Sequence, residues 1–201
     1  MKIDTNYQTP ENVCKYMASL VPVTAKYVLE PTPGLGNLVK ALKQKGFEVD
    51  NPEDYFLNRK EILKTKYDCI IMNPPFSSKS AFLENAPDEW VAEYGMKFGY
   101  KMLLEMMNLS SNVIALMPWF TISDSDVRLR RLKRFGLKSI TVLPRKTFQY
   151  ARIQTMVIEL EKGYQQEANF KVFEMLEKST QYSILTTKYL KQWKQFPPRL
   201  F

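Results

Sequence analysis

Histidine is absent from the 201 residues of the chain, and cysteine occurs only as Cys14 and Cys69. Without an imidazole, neither Ser-His nor Cys-His catalysis is available, and every His-ligated metal site is excluded. Two cysteines are too few for a disulfide framework or a structural zinc site, and both lie in apolar-periodic segments. We therefore predict two buried free thiols in a cytosolic protein, with no bound metal.

Long apolar runs are also missing. No segment approaches the roughly 18 apolar residues that a membrane-spanning helix requires. The first ten residues, MKIDTNYQTP, are polar and lack the apolar stretch of a signal peptide. We expect a cytoplasmic protein that does not associate with membranes.

Positive charge, by contrast, is in excess. The chain has 29 Lys and Arg residues against 21 Asp and Glu residues, which gives a formal net charge of +8. This balance favours a polyanionic partner such as nucleic acid. The alternative is that the charge serves only solubility, and the charge alone does not separate the two interpretations.

Apolar periodicity alternates between strands and helices along the chain. Helices are predicted over residues 9–22, 33–46, 89–110, 123–136 and 186–193, and strands over 25–31, 47–50, 67–72, 112–118, 137–144, 153–163 and 169–175. The first helix would take Thr9 as its N-cap and Pro10 as its first residue. This alternation predicts a doubly wound, mainly parallel α/β sheet in which the strands at 137–144 and 153–163 form an antiparallel hairpin at one edge.

A glycine-containing turn follows the first predicted strand. Glu30 ends the strand, and Gly34 and Gly36 occupy the turn that leads into the next helix. The third glycine of a dinucleotide-binding loop is missing, and no Lys-Ser/Thr pair follows as in a P-loop. Because a carboxylate disfavours phosphate but pairs well with an ammonium group, the ligand indicated is not a pyrophosphate. The alternative is a tight turn that needs glycine only for steric reasons.

The buried strand at 67–72 ends in the sequence Asn73-Pro74-Pro75-Phe76. The Asn73 side-chain oxygen and the Pro74 carbonyl are two acceptors, and Pro75 restricts Pro74 to extended conformations. Two acceptors in a rigid turn suit the two donors of an exocyclic amino group, while Phe76 offers a ring on which a planar base can stack. The alternative is a rigid strand end with a packed phenylalanine.

Together these motifs resemble the S-adenosylmethionine-dependent DNA N6-adenine methyltransferases in which the cofactor motif precedes the catalytic motif. Their Asn-Pro-Pro-aromatic signature matches residues 73–76, and their acidic-x-x-x-Gly-x-Gly loop matches residues 30–36. A Thr-Pro helix precedes both motifs in that subgroup, as YQTPENVCKYMASLV does here, and TFQYARIQTMVIEL resembles its later aromatic loop. The resemblance implies a Rossmann-like fold, S-adenosyl-L-methionine as cofactor and methyl transfer to adenine N6 in DNA.

The resemblance also implies roles for individual residues. Asn73, Pro74, Pro75 and Phe76 would be catalytic, and Phe76 and Phe148 would hold a base that is flipped out of the duplex. Cofactor contacts are expected from Tyr7, Thr9, Pro10, Glu30, Gly34, Gly36, Asp54, Tyr55 and Asn73, and Gln8 would lie with Tyr7, Thr9 and Pro10 beside the methionine moiety of the cofactor. Nucleic-acid contacts are expected from Arg145, Lys146 and Arg152 around Phe148, and from Arg128 and Arg131 on the basic helix. For the helix, the alternative is a solvated charged face.

The segment between the glycine turn and Asn73 departs from the family pattern because it is short. Asp54 and Tyr55 resemble the Asp-aromatic pair that contacts the cofactor's adenine, and the ribose-binding acid is Glu48 or Asp50, or is absent. We expect residues 1–163 to form the catalytic domain, and the shortness of this segment leaves open the deletion of one strand-helix unit. Residues 164–201 would be an extension too small for a target-recognition domain. Target specificity would then depend on an insertion, a specificity subunit or a homodimer partner, or be relaxed.

Other functions remain open at this level. One is a catalytically inactive methyltransferase fold that binds nucleic acid, and another is an RNA adenine-N6 methyltransferase. A protein-glutamine acceptor fits the basic loop around Phe148 less well. The leading interpretation is a restriction-modification type of DNA adenine methyltransferase in the cytoplasm of a bacterial or phage-infected cell.

Overall fold

The computed structural model describes residues 8–77, 84–94, 97–148 and 153–173, with the side chains of residues 92–94 left out. The predicted contributions of Tyr7 and Arg152 lie outside these ranges, as does the helix predicted at 186–193. In the described part of the chain, no helix is long and apolar enough to cross a membrane.

Seven strands within these ranges form one sheet in the order β2-β1-β3-β4-β6-β5-β7. The strands are β1 (Tyr27–Leu29), β2 (Glu48–Asp50), β3 (Cys69–Met72), β4 (Asn112–Pro118), β5 (Leu137–Val142), β6 (Thr155–Glu161) and β7 (Asn169–Val172). The helices are α1 (Glu11–Ser19), α2 (Asn37–Gln44), α3 (Tyr55–Ile62), α4 (Asp88–Tyr94), α5 (Phe98–Leu109), α6 (Phe120–Ser123) and α7 (Asp126–Phe135).

The sheet confirms the predicted α/β class. Its strands are parallel except β6, which pairs antiparallel with both β4 and β5. The predicted hairpin of β5 and β6 is therefore present, but its position at the edge was wrong. β6 lies inside the sheet between β4 and β5, and β7 pairs parallel with the other side of β5. The predicted domain boundary at residue 163 stays a prediction.

Helices cover both faces of the sheet because the central strands are apolar on both sides. In β3, Cys69 and Ile71 face a cluster of apolar side chains beneath α1 and α2. Ile70 and Met72 face a second cluster that includes residues of α3, α4, α5 and α7. All four residues of β3 are fully buried, as the continuous apolar run predicts.

Both cysteines are buried free thiols, as predicted. Burial raises the pKa of Cys14 to about 12 and raises that of Cys69 as well. A thiol with a raised pKa has little thiolate at neutral pH, so neither side chain is suited to nucleophilic chemistry.

Two helix predictions need correction. The first helix begins at Glu11 with Pro10 as its N-cap residue, so Thr9 is not the cap. Its hydroxyl instead accepts a hydrogen bond from Asn73, a contact between distant residues that local capping rules do not anticipate. The single helix predicted over 89–110 is two helices, α4 and α5. The interval between them contains Gly95, a residue that disfavours helix.

Candidate active site

The glycine turn follows β1 and the Asn-Pro-Pro-Phe turn follows β3, so the two motifs lie together at the carboxyl ends of these strands. Leu29 of β1 pairs with Ile70 of β3, and this register places Glu30 and Asn73 at the same end of adjacent parallel strands. This end of a doubly wound sheet is where ligands bind. A cavity of about 50 Å³ lies there. Its lining residues are Gln8, Thr9, Glu30, Thr32, Pro33, Gly34, Asn37, Leu38 and Asn73.

Glu30 is the buried carboxylate of this cavity, with 1% of its surface exposed. Its Oε1 accepts hydrogen bonds from the backbone N–H and the hydroxyl of Thr32, each at 3.1 Å. Its Oε2 is buried and has no hydrogen-bond partner among the described residues. Burial raises the pKa of Glu30 to about 8, because a low-dielectric surrounding disfavours the charged form. A cationic or hydrogen-donating ligand group would satisfy the open oxygen.

Asn73 is half-buried and is held by the two segments that surround it. Its Nδ2 donates to the Thr9 hydroxyl at 3.0 Å, and its backbone carbonyl accepts from the Thr32 hydroxyl at 3.3 Å. The Thr9 carbonyl accepts in turn from Asn37 Nδ2 at 3.2 Å. These contacts connect the Thr-Pro segment, the glycine turn and the Asn-Pro-Pro-Phe turn at one point.

The glycine turn adopts conformations that favour glycine. Gly34 has φ 53° and Gly36 has φ 79°, both in the left-handed region. A Cβ on Gly34 would lie 2.7 Å from Gln8 Oε1, which also accepts from the Leu35 N–H at 2.9 Å. Gly34 lines the cavity, whereas Gly36 serves as the N-cap residue of α2.

Four residues that line the cavity were missing from the predicted site, namely Thr32, Pro33, Asn37 and Leu38. Thr32 and Pro33 lie between Glu30 and Gly34, and Asn37 and Leu38 directly follow Gly36. For Thr32 and Asn37, a polar side chain beside a motif residue was the available signal. Sequence position alone does not show which of those side chains turns toward the cavity.

The two proposed stacking rings lie close to the protein interior. Phe76 is half-buried and packs against the apolar cluster beneath α1 and α2. Phe148 belongs to that cluster and is 6% exposed. A base reaches the Phe148 ring only if this packing opens. The stacking roles of both residues stay predictions.

Asp54 and Tyr55 have partners within the protein. Asp54 caps α3, with Oδ1 accepting from the N–H of Phe56 at 2.8 Å, and Oδ2 accepts from Asn85 Nδ2 at 2.9 Å. Tyr55 is 4% exposed, and its hydroxyl donates to Glu105 at 2.8 Å. The pKa of Tyr55 is raised mainly by burial, and the hydrogen bond to Glu105 raises it further. Neither residue lines the cavity, and their cofactor contacts stay predictions.

The geometry separates the two candidate ribose-binding acids. Asp50 ends β2 opposite Leu29, and its carbonyl accepts from the Glu30 N–H at 2.9 Å. Its carboxylate accepts from the Tyr67 hydroxyl at 2.6 Å. Glu48 is exposed and lies opposite Tyr27, two residues further from the ligand-binding end. Asp50 is therefore the better placed of the two.

The predicted nucleic-acid contacts differ in their exposure and in their partners within the protein. Arg145 and Lys146 are exposed and follow β5. The Arg128 guanidinium contacts other residues of the protein. Its Nη2 donates to the Phe120 carbonyl at 2.9 Å, and the guanidinium carbon lies 5.8 Å from the Tyr100 ring centre. Arg131 is exposed on the outer side of α7.

The direction of α7 limits what its basic residues can reach. The Phe135 carbonyl accepts from the Gly163 N–H, and the neighbouring Lys162 N–H donates to Ser111, beside the first residue of β4. The end of α7 therefore lies at the amino end of β4, opposite the cavity. Lys133 and Arg134 are consequently remote from Asn73.

No protein-family profile and no curated protein matches the sequence. Many solved structures are similar in fold, and three of them are the following. A class I S-adenosylmethionine-dependent methyltransferase, as it is described, from Listeria monocytogenes has TM-score 0.60 and 19% identity over 92% of this chain and 72% of its own. The methyltransferase subunit of a type I restriction-modification system from Streptococcus thermophilus has TM-score 0.55 and 18% identity over 79% of this chain and 45% of its own.

The third structure is the M protein of the type I restriction enzyme EcoKI, with TM-score 0.60 and 14% identity over 80% of this chain and 44% of its own. The chain thus spans about half the length of the type I subunits that it matches. At these identities the likeness concerns the fold. The chain has the α/β fold of the S-adenosylmethionine-dependent methyltransferases, as the motifs predicted.

Proposed function

We propose that this chain transfers a methyl group from S-adenosyl-L-methionine to adenine N6 in DNA. The observation that carries the proposal is the contact of Asn73 with Thr9 and Thr32 at the rim of the Glu30 cavity. Three sequence motifs that resemble one family meet there with the polar groups that the reaction needs. Methyltransferase folds among the similar structures support the same chemistry.

The residues around the cavity fit the proposed cofactor. Glu30 Oε2 lacks a partner among the described residues, and an ammonium group of the amino-acid part would supply one. Asp50, at the end of β2, would accept hydrogen bonds from the ribose hydroxyls. When bound, S-adenosylmethionine supplies an electrophilic methyl group. Because an adjacent cation favours the ionised carboxylate, binding would lower the pKa of Glu30 and release a proton at neutral pH.

The chain's contribution to the transfer is positioning. The Asn73 side-chain oxygen and the Pro74 carbonyl would accept hydrogen bonds from the adenine amino group, and Phe76 would stack on the ring. Nitrogen forms a bond to the methyl carbon while the carbon–sulfur bond breaks, and the methylated amine then releases one proton to water. Direct displacement needs alignment and hydrogen-bond polarisation, not a strong base. This agrees with a sequence that has no histidine.

DNA is the proposed polymer, with the target base flipped toward the cavity. The exposed Arg145 and Lys146, and Arg152 beyond the described residues, would contact its phosphates. A specificity subunit or a homodimer partner would supply sequence recognition, as part of a restriction-modification system in a bacterial or phage-infected cell. A competition assay between DNA and RNA tests the choice of polymer.

The decisive experiment measures transfer of a labelled methyl group to DNA by the wild-type chain and by Asn73→Ala. We expect the variant to lose at least about 100-fold in rate, since one positioned hydrogen-bonding group is worth this much in comparable sites. Asn108→Ala, at an exposed position near the far end of α5, is the matched control. A wild-type chain that binds the cofactor but transfers nothing to DNA would refute the proposal. Failure to bind the cofactor, with nucleic-acid binding retained, would favour the inactive module.

A further inference from the structure

The first turn of α5 packs directly against the Asn-Pro-Pro-Phe turn. The contact is made by Gly99, the second residue of the helix, which is buried. A Cβ added to Gly99 would lie 3.1 Å from the Pro75 carbonyl oxygen. It would also lie 3.5 Å from both Phe76 Cα and Pro74 Cγ. The helix and the turn therefore approach so closely that a Cβ at this position would require a neighbouring atom to move by a few tenths of an ångström.

The backbone conformation does not require glycine at this position. Gly99 has helical geometry and is not among the glycines with positive φ. Glycine is a poor helix former, and alanine is the best. Local preference therefore favours alanine at position 99, and the close contact with the turn is the physical reason for glycine.

The helix has little freedom to move away from an added methyl group. Phe98 is fully buried, and its ring centre lies 5.6 Å from that of Trp90 and 6.0 Å from that of Phe56. On the other side of the contact, proline fixes φ at Pro74 and Pro75. An added Cβ would thus displace the Pro75 carbonyl by a few tenths of an ångström, and the displacement would pass to Phe76 and to the Pro74 carbonyl.

We infer that Gly99 is a positioning residue for the catalytic turn: its lack of a side chain lets α5 hold Pro74, Pro75 and Phe76 in their working geometry. The inference rests on the proposed methyl transfer, since the turn is assigned there to the adenine amino group. Gly99 itself touches neither reactant. It acts through the turn, so its replacement should alter the rate of transfer and not the binding of the cofactor.

The test compares Gly99→Ala with wild type and with Asn108→Ala, which also raises helix propensity in α5 but at an exposed position near its other end. For Gly99→Ala we expect kcat about tenfold lower, because small misplacements of positioning groups are costly. We expect the KM for the cofactor to change by less than about twofold and the melting temperature not to fall. These last two readouts separate positioning from a loss of structure.

A second readout does not depend on activity. In amide NMR spectra, Gly99→Ala should shift the Phe76 resonance and leave that of Gly34 in place. An unshifted Phe76 amide together with wild-type kcat would overturn the inference. If no preparation transfers methyl groups at all, the proposed function fails, while the Phe76 shift still decides whether Gly99 sets the geometry of the turn.

A folding defect in Gly99→Ala is covered by a double variant. Pro75→Gly loosens the turn and allows it to yield to the added methyl group. Gly99→Ala/Pro75→Gly should then fold as well as Pro75→Gly alone. A double variant that stays unfolded while Pro75→Gly folds would show that Cβ clashes elsewhere, and the inference would fall.

Discussion

Two carboxylates in this sheet, Glu30 and Glu159, have opposite surroundings. Glu159 of β6 accepts from Lys138 at 3.0 Å and from the Ser139 hydroxyl at 2.9 Å, so both of its oxygens are paired. Glu30 is more deeply buried, yet one of its oxygens has no partner among the described residues. Glu159 lies toward the amino ends of the parallel strands, whereas Glu30 lies at their carboxyl ends.

The comparison separates stabilising groups from ligand-binding groups. A buried charge is costly unless it is paired, and Glu159, which is half-buried, has its partners within the protein itself. The carboxyl-end carboxylate does not, and burial therefore raises its pKa to about 8. A group with a perturbed pKa and an unpaired oxygen beside a cavity is typical of a ligand-binding site.

The largest effect of a single substitution is expected on the free energy of unfolding, at the amino ends of the parallel strands. Gly136 has φ 133°, and a Cβ there would lie 1.9 Å from the Glu161 carbonyl oxygen. Gly136→Ala should therefore cost at least about 3 kcal/mol in the free energy of unfolding. Gly36→Ala is the matched variant, since φ is also positive but no heavy atom lies within 4 Å. It should cost only about 1–2 kcal/mol. Urea denaturation measures both, and equal losses would contradict the packing described for Gly136.

The next largest effect is expected on the affinity for the cofactor. Glu30→Gln keeps the shape of the side chain but removes the charge that would pair with an ammonium group. We expect the dissociation constant for S-adenosylmethionine to rise about 10- to 100-fold, as for the loss of a charged hydrogen bond. Calorimetric titration measures it. Glu159→Gln is the control and should leave the dissociation constant unchanged. A similar loss in both variants would remove the distinction between the two carboxylates.

The pH dependence follows from the raised pKa of Glu30. Between about 4.5, the ordinary value, and about 8, the folded chain retains a proton that the unfolded chain releases. The contribution of Glu30 to stability is thus fully present below that window and is lost as the pH rises, by up to about 1.4 kcal/mol per pH unit. Cofactor affinity should rise over the same window, because binding an ammonium group releases the proton.

Urea denaturation and cofactor titration, each repeated from pH 5 to pH 8.5, measure how stability and cofactor affinity change with pH. Glu30→Gln should flatten each of them relative to wild type. An unchanged stability profile in this variant would mean that other groups set the pH dependence.

The smallest expected effect is at the Lys138 ion pairs. Lys138 contacts Glu159 at 3.0 Å and Glu161 at 2.9 Å, but its side chain is 39% exposed. Exposed pairs are screened by water, so Lys138→Met should cost no more than about 1 kcal/mol. Cofactor affinity should not change, because the pairs lie away from the cavity. A loss of affinity in this variant, measured by titration, would show that the two ends of the sheet are coupled.

Much of the fold could be predicted because its signals are local. The run from Cys69 to Met72 is apolar throughout and is followed by Asn73 and two prolines, so the sequence predicts both the strand and the turn after it. The α7 prediction also held: Ser125 accepts from the Arg128 N–H at its start, and Gly136 follows its end. The insertion of β6 between β4 and β5 was not predictable in this way, since periodicity does not specify which strand becomes a neighbour.

The same distinction between local signals and tertiary contacts applies to the residues of the site. Motif spacing predicted Glu30, Gly34 and Asn73, and all three line the cavity, whereas it did not predict the hydrogen-bond partners of Gln8 and Arg128. Gln8 reaches the Leu35 N–H across 27 residues, and Arg128 turns toward the Phe120 carbonyl instead of solvent. Side-chain direction depends on what the fold brings nearby, and a list of residue types does not contain it.

By itself the sequence determined the alternation of strands and helices, the chemistry that a chain without histidine cannot perform, and the order of the motifs. Only the tertiary structure decided that Thr9 binds Asn73 across 64 residues, that the end of β2 at Asp50 lies beside Glu30, and that one oxygen of Glu30 has no hydrogen-bond partner among the described residues. The reason is physical: periodicity is encoded in neighbouring residues, whereas the satisfaction of a polar group depends on strand register and on side chains from distant segments.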